Sequence, residues 1–326
     1  MKKVLFRLVG GIALLVVLLV VLGWLGLRSS LPELNGDILV RGIDDTVTIE
    51  RDAEGIPVIT ASNRSDLAFG TGYAHGQDRF FQMDLIRRQA AGELSELVGA
   101  AAIDVDKRYR FHRFRARAQA VYDAASADER QLMEAYAAGV NAGLASLDAR
   151  PFEYFVLGEE PRTWHAQDSL LAVYGMYMQL NDSRATKETR RGLAHRVLPA
   201  EVYAWMYPQG TPWDAPIMGE AREVAPIPGP DVYSVRHVAD NAPPANEQGR
   251  YPLRGSNNWA VSGALTATGR ALFSNDLHVG HCVPNLWYQA RLRVDGAETR
   301  DVAGVTLPGT PFVISGSNSQ VAWGYT

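Results

Sequence analysis

Six prolines fall between Pro226 and Gly255, in a stretch with little periodic apolar content. Proline lacks the N–H that helix and sheet interiors use, so this segment is a poor core element and a good exposed linker. It divides the chain into a helical region and a β-rich one. Upstream, residues 65–205 are dominated by alanine, leucine and long polar side chains and read as mainly α. Ser65 is placed as the N-cap of a first helix, with Asp66 in its first turn, continuing to about Leu97. Ser126 and Glu129 have capping-box spacing for a second helix ending near Leu147. A third covers Ser169 to Leu180. Ahead of them, TVTIER (46–51) and IPVITA (56–61) flank a turn at 52–55 and read as a hairpin. Downstream of the linker, Asn258–Val261, Ala271–Ser274, Leu286–Val294 and Pro311–Ile314 are strand-like, with a turn at Thr268-Gly269. The order predicts an α+β fold without internal repeats.

The N-terminus adds a separate constraint. Lys2, Lys3 and Arg7 precede an uncharged, mostly aliphatic run from Leu8 to Leu27, closed by Arg28. About twenty apolar residues suffice to cross a bilayer as a helix, and the basic flank favours a cytoplasmic start with the bulk exported. No small-x-small cleavage site stands out, so the run is read as an uncleaved anchor of the inner membrane, with a cleaved signal peptide as the other reading. The formal net charge is −4 and no basic run occurs, which argues against a nucleic-acid partner. The single cysteine, Cys282, cannot form an internal disulfide. The domains expected are the anchor (1–28), the helical region (29–225), the linker (226–255) and the start of a β-rich domain (256–326).

The linker ends at Gly255-Ser256, ahead of the first downstream strand. A serine hydroxyl is a weak nucleophile that needs a base. One solution is a histidine oriented by a carboxylate, for which His278 and Asp276 are candidates. The G-x-S-x-G elbow is absent around Ser256. Another solution makes the serine a chain terminus, so that its own α-amino group, with a pKa of about 7.7–8.0, is the base. That requires cleavage at Gly255-Ser256. His278, His281 and Cys282 have a spacing that could chelate zinc, but no second ligand cluster accompanies them.

The segment RGSNNWAVSG (254–263) resembles the maturation site of the penicillin acylase family, Ntn-hydrolases in which a serine begins the β chain. The upstream motifs RDAEGIPVITA, GYAHGQDRFFQMDLIRRQAAGELSELVG, YAAGVNA and EYFVLGEEPRTWHAQDSL resemble the family's α chain. NDLHVG, LPGTPFVISGSN and VAWGYT fit its early β chain. The resemblance implies a four-layer αββα Ntn-hydrolase sandwich, represented in part, and a hydrolase of linear amide bonds in N-acylated small molecules. It implies Ser256 as nucleophile and self-cleavage between Gly255 and Ser256. His278 would orient the freed amine and the substrate. An oxyanion-hole backbone donor is expected shortly after Trp323-Gly324, next to Thr326.

The resemblance also implies a structural calcium, with Glu188 in NDSRATKETRRG as the best ligand match although its spacing from Asp182 is irregular; an exposed helix carboxylate is the other reading. No organic cofactor is expected. Met176 and Leu180 fall in the helix that shapes the family's acyl pocket, and core packing is the alternative for each. Val279 and Ser315 stand where the family has aromatic pocket residues, which leaves the acyl group open between penicillin, cephalosporin and acyl-homoserine-lactone types. From Ser256 onward there are 71 residues, against a family β chain several times longer. The polypeptide is therefore expected to be the N-terminal portion of a precursor whose α and β chains come from one polypeptide. An inactive membrane-tethered scaffold is the reading outside enzymology.

Overall fold

The computed structural model describes residues 2–181, 185–211, 216, 218–220, 223–234, 255–296 and 299–326. Most of the expected linker (235–254) and Asp182 lie outside the described residues. The elements are α1 (Lys2–Ser29), β1 (Thr48–Arg51), β2 (Pro57–Ala61), α2 (Arg64–Ala91), the one-turn α3 (Ser95–Val98), α4 (Ile103–Arg110), α5 (Phe114–Ala124) and α6 (Ala127–Ala145). There follow α7 (Phe152–Leu157), α8 (Ala166–Leu180), α9 (Thr186–Val197) and α10 (Ala200–Met206). Beyond the linker come β3 (Ser256–Val261), β4 (Leu272–Leu277), β5 (Tyr288–Val294), β6 (Arg300–Thr306), β7 (Val313–Ser317) and the short β8 (Ala322–Trp323). Helix and sheet are mixed, as an α+β chain requires.

Two compact units result. The first joins Met1–Tyr177 to Gly255–Thr326, and the second is Met178–Arg254. In the second, α9 and α10 meet through Arg191 Nε, which donates to Tyr203 Oη at 3.1 Å, and through the edge of the His195 ring against Tyr203.

In the first unit, α2 is the central element. Its N-cap is Asn63, not Ser65: Asn63 has an extended backbone and its side chain accepts from the Asp66 N–H at 2.8 Å. Asp66 is occupied in turn by the Asp44 and Asp45 amides, which ties the preceding loop to the helix start. The helix ends at Gly92, whose φ of 70° is the left-handed conformation that glycine adopts without strain. That stop comes before Leu97, which lies in α3. The capping box at Ser126 and Glu129 opens α6 as the spacing predicts.

α2 and α6 run parallel at backbone contact. A Cβ on Gly76 would sit 2.2 Å from Val140 O, and one on Gly139 would sit 2.0 Å from Phe69 O. Gly72 and Gly143 repeat the arrangement one turn away on each helix. Around this seam Phe80, Met83, Tyr136, Val140, Tyr154 and Trp164 form the larger core cluster.

The other side of α2 packs on a six-stranded sheet of order β1-β2-β5-β6-β7-β8. The predicted hairpin is β1-β2, paired from Thr48↔Thr60 to Arg51↔Pro57. β2 and β5 are parallel and the remaining pairs antiparallel. β5 alternates as a half-buried strand should: Tyr288, Ala290, Leu292 and Val294 are buried, and the core beneath them includes Ile59 and Ala74. The sheet thus splices the segment before the linker to the segment after it. β6, which no pattern predicts, carries Gly304 at its centre, where Ser315 O of β7 would lie 2.1 Å from a Cβ. A mid-strand glycine hides such a strand from periodicity.

Candidate active site

β3 and β4 form a separate two-stranded sheet, and Ser256 is the first residue of β3. Pairing runs from Ser256↔Leu277 to Val261↔Leu272. Side chains alternate across a strand, so Ser256, Asn258, Asn275 and Leu277 share one face, and Asn257, Trp259, Ser274 and Asp276 share the other. The first face is half-buried and the second exposed. Ser256 Oγ donates to Gly255 O at 2.9 Å, which holds the hydroxyl beside the carbonyl that self-cleavage would open. Gly255 itself is exposed.

His278 follows the end of β4. Its Nε2 lies 2.9 Å from Asp276 Oδ2 and 3.3 Å from Asn257 Nδ2. One ring nitrogen cannot both donate to the carboxylate and accept from the amide. The shorter, charge-assisted contact selects the tautomer that donates to Asp276. The carboxylate-oriented histidine anticipated from the sequence is therefore formed, but with partners from the exposed face. Among the described residues no hydrogen bond joins His278 to Ser256.

Asn275 is the organising residue of the other face. Its amide donates to Asn257 O and Tyr325 O, both at 3.0 Å, and its Oδ1 accepts from Ser315 Oγ at 2.8 Å. Ser315 Oγ also lies 3.1 Å from Trp323 O. These contacts fasten the two-stranded sheet to β7 and β8. Gly324 permits the approach: a Cβ there would lie 2.5 Å from Asn275 Oδ1 and 2.9 Å from Asn258 Oδ1. The Asn258 Oδ1 is buried without a hydrogen-bond partner among the described residues. A cavity of about 400 Å³ opens beside these residues, lined by Phe273, Asn275, Ala303, Ser315, Gly316 and Ala322 among others. Ser256 shares its face of the sheet but not its lining. Sequence reasoning missed Asn275; a polar residue at an inward position of a strand is the signal that marks it.

The penicillin amidase family matches residues 46–326, most of the chain. The chain belongs to the penicillin amidase family. It is 31% identical over 315 residues to acyl-homoserine lactone acylase QuiP of Pseudomonas aeruginosa, covering 93% of this chain and 36% of that protein. It is 34% identical over 309 residues to penicillin acylase 2 proenzyme of Pseudomonas sp. (strain SE83), covering 91% of this chain and 38% of the relative. A solved chain of a thermostable penicillin G acylase from Alcaligenes faecalis aligns with a TM-score of 0.45 and 27% identity, over 55% of this chain and 98% of that one. The chain spans a little over a third of the length of the curated relatives it matches.

The remaining site candidates of this penicillin amidase member lie on separate elements. Met176 is half-buried on α8, and Leu180, at the end of that helix, is 61% exposed. Val279 is half-buried and its N–H donates to Leu277 O at 2.9 Å. Glu188 is exposed in the first turn of α9. Among the described residues no three His, Cys, Asp or Glu side chains gather as a metal site. Glu188 therefore stands without a described cluster of carboxylates beside it. His278, His281 and Cys282 likewise do not gather as a metal site.

Proposed function

We propose that this chain is part of a self-processing acylase that hydrolyses the amide bond of an N-acylated small molecule through an ester on Ser256. The observation that carries the reading is the placement of Ser256 as the first residue of β3, behind an exposed glycine, with its hydroxyl against the preceding carbonyl. Family membership, and relatives named as a penicillin acylase and an acyl-homoserine lactone acylase, support the reaction class.

In maturation, Ser256 Oγ attacks the Gly255 carbonyl carbon, the Gly255–Ser256 C–N bond breaks, and an ester forms while the Ser256 amine is released. Water then hydrolyses the ester, leaving a carboxylate on Gly255. In turnover the free amine takes the hydroxyl proton as Ser256 attacks the substrate amide. The amine product leaves after protonation, and water releases the acyl group as a carboxylic acid. Polarised donors for the oxyanion typically contribute about 3–4 kcal/mol each in such reactions. His278, held by Asp276 and touching Asn257, is assigned the orienting role. Met176 and Val279, both in the first unit, are assigned to the acyl pocket of the same partial αββα sandwich.

The same reading includes a membrane span at α1, with the bulk on the exported side. Phe6–Ser29 has a mean hydropathy of 2.9 and is exposed along its length, the property of a helix made for lipid or for a signal sequence.

Mass spectrometry of the protein expressed from its full-length gene tests the mechanism. A new N-terminus at Ser256, absent in Ser256→Ala, is expected. An intact Gly255–Ser256 bond in active protein would overturn it.

A further inference from the structure

α7 turns its apolar face outward. Tyr154 points inward, fully buried, and donates its hydroxyl to Asp84 Oδ2 at 2.6 Å, which fixes that side of the helix to the core. Phe152, Phe155 and Val156, at i, i+3 and i+4, form one helical face. They are 47%, 45% and 80% exposed. Leu157 beside them is exposed as well. A one-and-a-half-turn helix with three large apolar side chains on its outer face is built to meet something apolar.

The end of α1 lies close to the start of α7, and this points to the partner. The carbonyl of Ser29, the last residue of α1, accepts the Ala149 N–H at 3.0 Å, three residues before α7 begins. Four residues further on, Glu33 O accepts from Gln77 Nε2 at 3.2 Å, so the chain leaving α1 is held against α2 rather than hanging as a free tether. Arg28 lies over the Trp24 ring at 5.3 Å, and Arg150 lies over the Phe155 ring at 4.7 Å. Arginine and tryptophan are both favoured at the headgroup level of a bilayer, where each keeps a polar end wet, and Arg150 can likewise hold its charge at that level while the Phe155 ring lies deeper. α7 is about 9 Å long by helical rise. An interfacial helix sinks its apolar side about 5–10 Å into the headgroup boundary.

We propose that the Phe152, Phe155 and Val156 face of α7 seats in the interfacial layer of the bilayer that α1 spans, giving the folded unit a second contact with lipid. This rests on the reading of α1 as a membrane span. Arg150 is ion-paired with Glu160, and Glu153 lies within α7. The seat is thus apolar and does not select anionic lipid.

The test uses the full chain in phosphatidylcholine vesicles, with Cys282→Ala and single cysteines at Leu18→Cys, Val156→Cys or Lys107→Cys carrying a polarity-sensitive fluorophore. Blue-shifted emission with a several-fold gain at 18 and 156, quenched by lipid-borne nitroxide, is expected, while 107 remains aqueous. The signal at 156 should be equal with and without phosphatidylglycerol. A lipid signal at 18 with an aqueous one at 156 overturns the seat and leaves the span standing. A blue shift at 156 that lipid-borne nitroxide cannot quench also overturns it, because protein then covers α7. An aqueous signal at 18 overturns span and seat together.

Discussion

The buried histidine at position 75 shows how one side chain joins segments far apart in sequence. His75 on α2 is fully buried, with Nδ1 2.8 Å from Tyr136 Oη and Nε2 2.9 Å from Thr306 Oγ1. Thr306 donates to Tyr288 O, so it accepts from His75 Nε2–H. Tyr136 accepts from the Gly309 N–H and spends its own proton on His75 Nδ1. The chain of donors runs one way and fits only a neutral imidazole. Burial, reinforced by the nearby positive charge of Arg79, lowers the His75 pKa from 6.5 to about 3. Above pH 6.5 the folded and unfolded states are both neutral here and the network contributes fully. Between pH 6.5 and about 3 the unfolded chain takes up a proton that the folded one refuses, so stability falls by about 1.4 kcal/mol per pH unit. Thermal melts of the detergent-solubilised protein across that range should show this slope, and His75→Gln should flatten it. At pH 8 the same variant should cost about 2–4 kcal/mol, through buried partners left unsatisfied. An unchanged pH slope in His75→Gln would show that other groups control acid sensitivity.

At the scale of elements, the α2–α6 contact depends on glycine in a way that separates two effects of one substitution. Gly139→Ala places a methyl 2.0 Å from a backbone oxygen of α2, which no side-chain rotation can relieve. The helices must part, at a cost of about 1–3 kcal/mol against a helix-propensity gain of about 1 kcal/mol. Gly192 lies inside α9 with nothing within 4 Å of its Cβ position, so Gly192→Ala keeps the gain alone. Melting temperature should fall for the first and rise for the second; a rise for both would mean the seam is looser than described. Legibility from sequence follows the same division. The capping box at Ser126 and the β1-β2 hairpin were readable because their signals are local. The Asn63 cap was not, since Ser65 two residues later has equal cap chemistry and only the extended backbone at Asn63 decides between them. β6 was hidden by Gly304, whose meaning depends on β7 passing alongside. At the site, His278 with Asp276 was legible as a pair two residues apart. The anchoring by Asn275 was not, because its partners Ser315 and Tyr325 lie 40 and 50 residues away.

For the molecule as a whole, the six-stranded sheet sets what cleavage at the linker can and cannot separate. β2 precedes the linker and β5 follows it, and they pair in parallel from Val58↔Arg291 to Ala61↔Val294. Across the same seam Tyr288 Oη donates to Asp78 Oδ2 at 2.6 Å, and Arg51 lies 2.9 Å from the same carboxylate oxygen. Arg79 Nη1 donates to Asn285 O at 3.0 Å, while the His75 and Tyr136 network reaches Thr306 and Gly309. A chain cut between residues 235 and 254 is therefore expected to remain one particle. A protease site engineered into that stretch makes the cut without requiring Ser256 chemistry. The cut protein should co-elute as a single species in gel filtration and part into two chains only in denaturant. Asp78→Ala removes the acceptor shared by Tyr288 and Arg51 and leaves the partly buried guanidinium with only Gly55 O and Gln77 Oε1 as acceptors, which should cost about 1–3 kcal/mol and lower the denaturant midpoint for separation. Two peaks from the cut wild-type chain under native conditions would show that the linker, and not the sheet, holds the halves together.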